Sequence, residues 1–253
     1  GLFGGLGLFL YGMQLMGDGL ENAAGDRLKI FFEKIASNPV KAILTGTIVT
    51  GIIQSSSATT VMVVGFVNAG LMNLYQAAGV IMGANIGTTI TGQLVALNLT
   101  ALAPVFVGVG SLMVLFSKGD KTKEIGNIVL GFGILFVGMN TMSSSMEPLA
   151  HSDGFKSAIA TLSYNPLLGI LAGLGLTAVV QSSSATIGIL IALGNNGLIP
   201  LQVALPVLFG DNIGTCATAL LSSIGTNKNA RKAALIHLTF NIIGTVIFTI
   251  ILK

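Results

Sequence analysis

Charged side chains are nearly missing from this chain. Only 8% of its 253 residues are Asp, Glu, Lys or Arg, against 52% hydrophobic, whereas a soluble domain usually carries about a quarter charged residues. Between Lys41 and Lys118 there is no charge, and between Lys156 and Lys228 there is one, Asp211. Each stretch exceeds the roughly 20 apolar residues of one spanning helix, so each must fold back and cross again. The scarcity excludes a water-soluble globular domain and predicts an all-α, polytopic membrane protein. The lone Cys216 excludes an internal disulfide and a cysteine metal cluster. No basic run is interleaved with aromatics, so no nucleic-acid partner is expected. The net charge of +3 comes from basic residues in short loops, as the excess of Lys and Arg in cytoplasmic loops explains. Residues 1–16 lack the basic flank of a signal peptide and match a later stretch, so they read as a span. The Gly1 start reads as a trimmed one.

What the chain has instead is one unit written twice. Gln54-Ser55-Ser56-Ser57-Ala58-Thr59 returns 127 positions later as Gln181-Ser182-Ser183-Ser184-Ala185-Thr186. Gly83-Ala84-Asn85-Ile86-Gly87-Thr88 returns at the same offset as Gly210-Asp211-Asn212-Ile213-Gly214-Thr215, and Asn38-Pro39 as Asn165-Pro166. Such constancy predicts two repeats, residues 1–124 and 125–253. Glycine is abundant, 34 residues, as expected where helices pack closely in lipid or are broken.

Repeat one reads as a span over 2–17, an interfacial amphipathic helix over 22–36, a hairpin over 40–72, a broken helix over 75–97 and a span over 103–117. Repeat two reads as a span over 128–143, a hairpin over 167–197, a broken helix over 202–224 and a span over 233–252. Each hairpin arm has about 14 residues and reaches only about 21 Å, short of the roughly 30 Å hydrocarbon core. The hairpins are therefore expected to be re-entrant, with polar tips near mid-membrane. The breaks are assigned to the Gly-x-Asn-Ile-Gly-Thr phrases, which should face a cavity that satisfies the freed backbone. Three crossings per repeat make the second inverted relative to the first. Loop charge agrees: Arg27, Lys29, Lys34 and Lys41 oppose a single Lys156, while Lys228, Arg231 and Lys232 oppose an uncharged 98–105. With Lys118, Lys121 and Lys123, this places the basic loops in the cytoplasm and the N-terminus outside.

Inverted repeats with broken helices around a midplane site are a secondary-transporter pattern. Neither hairpin nor broken helix holds Lys or Arg, so an anion would be held by hydroxyls, backbone N–H groups and helix N-termini. The candidate binding residues are Ser55, Ser56, Ser57, Ser182, Ser183 and Ser184, whose hydroxyls can rotate to suit a tetrahedral oxyanion. Co-bound cations would supply the missing charge. Gln54, Asn85, Thr88, Gln181, Asn212 and Thr215, with Thr59 and Thr186, offer neutral oxygens suited to Na⁺. Mutual neutralisation would couple the ions.

These paired phrases resemble those of the type II sodium–phosphate cotransporters and their bacterial relatives, over essentially the whole chain. The resemblance implies sodium-driven uptake of inorganic phosphate across a bacterial inner membrane by an elevator-like motion. It also implies that residues 54–57 and 181–184 line the site. Arg231-Lys232-Ala233-Ala234, His237, Phe240 and Asn241 resemble the opening of the family's last helix. Bacterial relatives often carry a soluble C-terminal regulatory domain, which residues 1–253 do not include; such a domain, or a separate protein, is a partner to consider, as is a homodimer. Asp211 departs from the pattern, standing where a small residue is usual; an intramembrane carboxylate invites a role with Na⁺ or a proton. Its alternative is a carboxylate facing the cytoplasmic cavity or paired with a loop Lys.

Other readings stay open. The same residues could carry another small oxyanion with sodium or protons, or form an anion channel. An intramembrane serine hydrolase is not expected: there is no Gly-x-Ser-x-Gly elbow and no base to pair with a Ser. Thr45, Thr47, Thr50 and Ser222 read as packing groups and Met13, Met16, Met62 and Met82 as fillers. His151 reads as a solvated loop residue and His237 as interfacial. Asn98-Leu99-Thr100 fits a glycosylation pattern, but no glycan is expected there.

Overall fold

The computed structural model describes residues 1–24, 38–97 and 99–251. Twelve α-helices, two 3₁₀ turns and no strand are found among the described residues. In order they are α1 (Leu2–Ala24), α2 (Pro39–Ile53), α3 (Ser56–Asn68), α4 (Leu74–Ala96), α5 (Ala103–Phe116), α6 (Asp120–Met146), α7 (Asp153–Tyr164), α8 (Pro166–Val180), α9 (Ser183–Asn195), α10 (Leu201–Gly214), α11 (Cys216–Ser222) and α12 (Lys228–Ile251). Three helical segments, Asp120–Leu149, Leu201–Ser222 and Lys228–Ile251, are long and apolar enough to cross a membrane. The helix α1 matches them in length but not in apolarity, because Gln14, Asp18 and Glu21 interrupt it. The expected plain span at 103–117 is a 14-residue helix, α5, about 21 Å long.

Helix α1 and its sequence counterpart α6 pack side by side. A Cβ on Gly5 would strike the Gly138 carbonyl, one on Gly12 the Gly131 carbonyl, and one on Gly19 the Glu124 carbonyl. As one index rises by seven the other falls by seven, so the helices run antiparallel. Gly5 and Gly131 hold equivalent places in the two repeats, as do Gly12 and Gly138. The contact is thus self-complementary, each helix offering the same pair of glycines to the other.

Each hairpin opens at an Asn-Pro. The Asn38 side chain accepts the Val40 N–H at 2.9 Å and that of Asn165 accepts the Leu167 N–H at 3.1 Å. This caps α2 and α8, with proline in the first turn, where its missing N–H costs nothing. Both helices end at a glutamine in the left-handed region, Gln54 at φ 59° and Gln181 at φ 55°, the only non-glycine residues with positive φ among those described. A serine then starts the next helix: Ser55 accepts from Ala58 N–H and Ser182 from Ala185 N–H, at 3.1 and 3.3 Å. That the chain reverses follows from Thr50 and Thr59, whose hydroxyls meet at 2.9 Å although nine residues of straight helix rise about 13.5 Å. Thr177 and Thr186 repeat this at 2.8 Å.

The broken helix expected at 75–97 is not broken. Helix α4 runs uninterrupted through Gly83-Ala84-Asn85-Ile86-Gly87-Thr88. Its glycines serve close packing instead: a Cβ on Gly83 would lie 2.0 Å from the Ile43 carbonyl oxygen, and one on Gly46 of α2 2.1 Å from that of Val80. The same contacts recur 127 residues on, Gly210 against Ile170 and Gly173 against Val207, both at 1.9 Å. In repeat two the helix is interrupted only at Thr215, between α10 and α11.

The amphipathic helix expected over 22–36 falls mostly outside the described residues. Its counterpart in repeat two, a loop by sequence, is the helix α7, which buries no residue and meets α8 at 113°. His237, expected at an interface, is fully buried. The reason is a stripe on α12, Ala230, Ala233, Ala234, His237 and Asn241, that turns in against the first hairpin, where the alanines join the core around Val63, Val64 and Val80. His151 is exposed, as expected.

Candidate functional site

The two hairpin tips meet. A cavity of about 340 Å³ is lined by residues 54–58 of one repeat and 181–184 of the other, walled by α1. All eight residues of the two Gln-Ser-Ser-Ser phrases face it. Residues 127 apart in sequence are thus brought to one chamber by the antiparallel α1–α6 pair and by hairpins packed identically on α4 and α10. Gly17 of α1 permits the closure, since a Cβ there would come within 3.0 Å of the Ile53 carbonyl oxygen.

Its donors are of two kinds. The N-termini of α3 and α9 both open at the cavity, bringing first-turn N–H groups and about half a positive charge each. Ser55 and Ser182 accept bonds as caps and keep their own protons to donate. The hydroxyls of Ser56, Ser57, Ser183 and Ser184 make no hydrogen bond among the described residues. Four uncommitted hydroxyls and two helix ends, with no basic side chain among the described lining residues, are donors of the kind that suit an oxyanion.

The tips are not equivalent. Gln54 is buried, its amide oxygen accepting from the Thr91 hydroxyl at 2.9 Å and its amide nitrogen donating to the Gly51 carbonyl. Gln181 is exposed. The left-handed conformation costs a non-glycine residue roughly 1–2 kcal/mol, and such strain is kept where the surroundings fix it. At Gln54 those surroundings are visible.

The remaining sodium candidates lie off the cavity. Thr59 bonds Thr50 and the Ser55 carbonyl, behind the first tip. Thr88 and Thr215 bond the carbonyls of Ala84 and Asp211, one turn back in their own helices. Asn85 donates to Asn241 at 2.8 Å, and Asn241 to the Cys216 sulfur at 3.1 Å, a link from repeat one to repeat two through α12. Asn212 is exposed. Asp211 is fully buried and accepts from the Thr177 hydroxyl at 2.6 Å; Thr177 in turn meets Thr186. Its second oxygen has no partner among the described residues. It neither faces the solvent nor pairs with a described loop Lys. In repeat one the same place holds Thr50, Thr59 and Ala84, without a carboxylate.

Gln14, Asp18 and Glu21 are absent from the sequence-based candidates. They line the cavity from α1, spaced by four and three residues and hence on one helix face. Polar side chains recurring at helical spacing in an otherwise apolar span are the signal that marks them.

A family model described as Na⁺/Pi-cotransporter matches the chain twice, over residues 8–144 and 134–253. An uncharacterised protein of Bacillus subtilis, YqeW, is 33% identical over 93% of this chain and 76% of its own length. A putative inorganic phosphate export protein of Escherichia coli, YjbB, is 27% identical over 97% of this chain. Rat sodium-dependent phosphate transport protein 2A is 37% identical over 38% of it. The chain spans only 45% of the E. coli protein and 15% of the rat one. No solved structure matches it.

Proposed function

We infer, from the premise that this chain belongs to the Na⁺/Pi-cotransporter family, that it carries inorganic phosphate with sodium through the cavity between its hairpin tips. The observation behind this reading is that both Gln-Ser-Ser-Ser phrases line one chamber. Phosphate would be held by Ser55, Ser56, Ser57, Ser182, Ser183 and Ser184 and by the two helix N-termini. Sodium would offset its charge, drawn by Asp18 and Glu21 at the cavity wall and bound among Gln54, Gln181 and the Thr177–Thr186–Asp211 cluster. A carboxylate oxygen buried without a partner costs several kcal/mol when charged, so Asp211 would cross the bilayer only with a cation or a proton.

The self-complementary α1–α6 contact and the recurrence of the hairpin contacts at one offset support two inverted repeats. Arms of 15 and 13 residues support hairpins that enter and leave by one face. An elevator-like motion would carry the hairpins past the α1–α6 pair and expose the cavity to each side in turn. With basic loops in the cytoplasm, uptake follows the inward sodium gradient. Export is the second reading, favoured by the name of the E. coli relative.

Reconstituted vesicles decide among these. Radiolabelled phosphate is expected to enter with an inward Na⁺ gradient and not with K⁺ or H⁺ gradients. Two lost hydrogen bonds to a charged ligand, about 1.5–3 kcal/mol each, predict at least roughly a hundredfold loss for Ser56→Ala with Ser183→Ala. Normal transport by that variant ends the site assignment. Phosphate flux without sodium makes the protein a channel, and sodium-driven flux only out of vesicles loaded with phosphate makes it an exporter.

A further inference from the structure

A second cavity lies on the outer face, between α4 and α12. It measures about 470 Å³ and is walled by Leu74 and Met82 of α4 and by Lys232, Leu235, Phe240 and Ile243 of α12. With Ile236 and Thr239, the α12 members are spaced by three, one, three, one and three residues along a face distinct from the buried Ala-His-Asn stripe. Apart from Thr239 the groove is apolar along its length, and it is cationic at one end.

The charge there has one sign. Residues 42–117, which include all of α4, carry no charged side chain. Helix α12 carries Lys228, Arg231 and Lys232, all at its first two turns, all exposed and none in an ion pair among the described residues. The same end holds Tyr75, 87% exposed, an aromatic of the kind that sits at a membrane–water boundary. Below this level the exposed face of α12 is hydrocarbon but for Thr239, and includes Ile242, Val246, Ile247 and Ile250. A charged end at the boundary above an apolar trough is the shape of one amphiphile.

We propose that the α4–α12 groove binds an anionic glycerophospholipid, an acyl chain lying along Leu235, Phe240 and Ile243 and the headgroup meeting Lys232. Arg231 and Lys228 add attraction for negative charge, as basic residues beside a span do at an anionic leaflet. The lipid would bridge two elements that hold the first hairpin. Beside Lys228, Asn227 grips Asn68 at the end of α3 through two bonds of 2.9 Å, so a lipid on α12 steadies the helix that anchors this hairpin. This inference needs only a membrane-spanning α12 and is independent of what the central cavity carries.

The chain contains no tryptophan, which gives a clean reporter. Phe240→Trp places a single emitter in the groove, and Val109→Trp, on exposed α5, serves as control. Both are reconstituted with brominated phosphatidylglycerol or brominated phosphatidylcholine in matched amounts. Fluorescence of the Phe240→Trp protein is expected to be quenched preferentially by the brominated phosphatidylglycerol. Adding Lys232→Gln should reduce that preference about fivefold, and inorganic phosphate in excess should leave it unchanged. The control should show no preference. Equal quenching by the two lipids, or a preference indifferent to Lys232→Gln, overturns the proposal. Quenching by neither shows a protein surface covering the groove and overturns it too. Competition by inorganic phosphate shows a headgroup site without a lipid, which is a third way for the proposal to fail.

Discussion

Ser55 and Ser182 each do two jobs, since the hydroxyl that faces the cavity also caps a helix. Replacing a cap by Ala costs about 1 kcal/mol, so Ser55→Ala and Ser182→Ala are expected to lower the melting temperature as well as transport. Ser56 and Ser183 cap nothing, and their alanine variants should lose transport with an unchanged melting temperature. Thermal unfolding in detergent beside vesicle uptake separates the two pairs. Asp211 offers a sharper test, because repeat one shows what the fold does without it: Ala84. Asp211→Ala should fold normally and alter the sodium dependence and current of transport. Unchanged sodium dependence and current would remove Asp211 from coupling. The repeated serines are legible in sequence. That Asp211 is held by Thr177, with one oxygen unpartnered among the described residues, is not, because Thr177 is 34 residues away and marked by nothing but its match to Thr50.

Among the elements, the glycines of α4 and α10 look like breaks in sequence and are contact points in the fold. A Gly costs a helix interior only about 1 kcal/mol, less than the packing gained where two backbones nearly touch. Sequence lists the glycine without showing what faces it. Gly83→Ala and Gly46→Ala would drive a methyl group into backbone carbonyls, and overpacking of this kind costs about 1–3 kcal/mol. Both should lower the melting temperature by several degrees, whereas Gly65→Ala, with nothing within 4 Å of its Cβ, should match the parent or gain slightly. If Gly83→Ala is as stable as Gly65→Ala, the close α2–α4 contact is wrong. The hairpins are legible for a different reason: arms too short to cross, a polar phrase between them and an Asn-Pro start are all local.

For the molecule as a whole, the antiparallel α1–α6 contact predicts opposite orientations for the two repeats. In a Cys216→Ala background, single cysteines at Asp120 and Asn229 are expected to react with a membrane-impermeant maleimide from the cytoplasmic side only, and ones at Ser152 and at Leu102, the counterpart of Asn229 in repeat one, from the outside only. Labelling of Leu102 and Asn229 from the same side would exclude inversion. Loop charge alone suggests this arrangement, and the glycine pairs add an independent reason for it.

By itself the sequence determined the class, the two units and the polar phrases, because hydropathy, repetition and capping are properties of neighbouring residues. The tertiary structure decided which of those residues share a chamber. It joined both serine triplets, admitted Gln14, Asp18 and Glu21 from α1, and left Asn85, Thr88, Asn212 and Thr215 outside. Those outcomes depend on how helices distant in sequence approach one another, and that is set by backbone contacts at glycines whose partners no local pattern names.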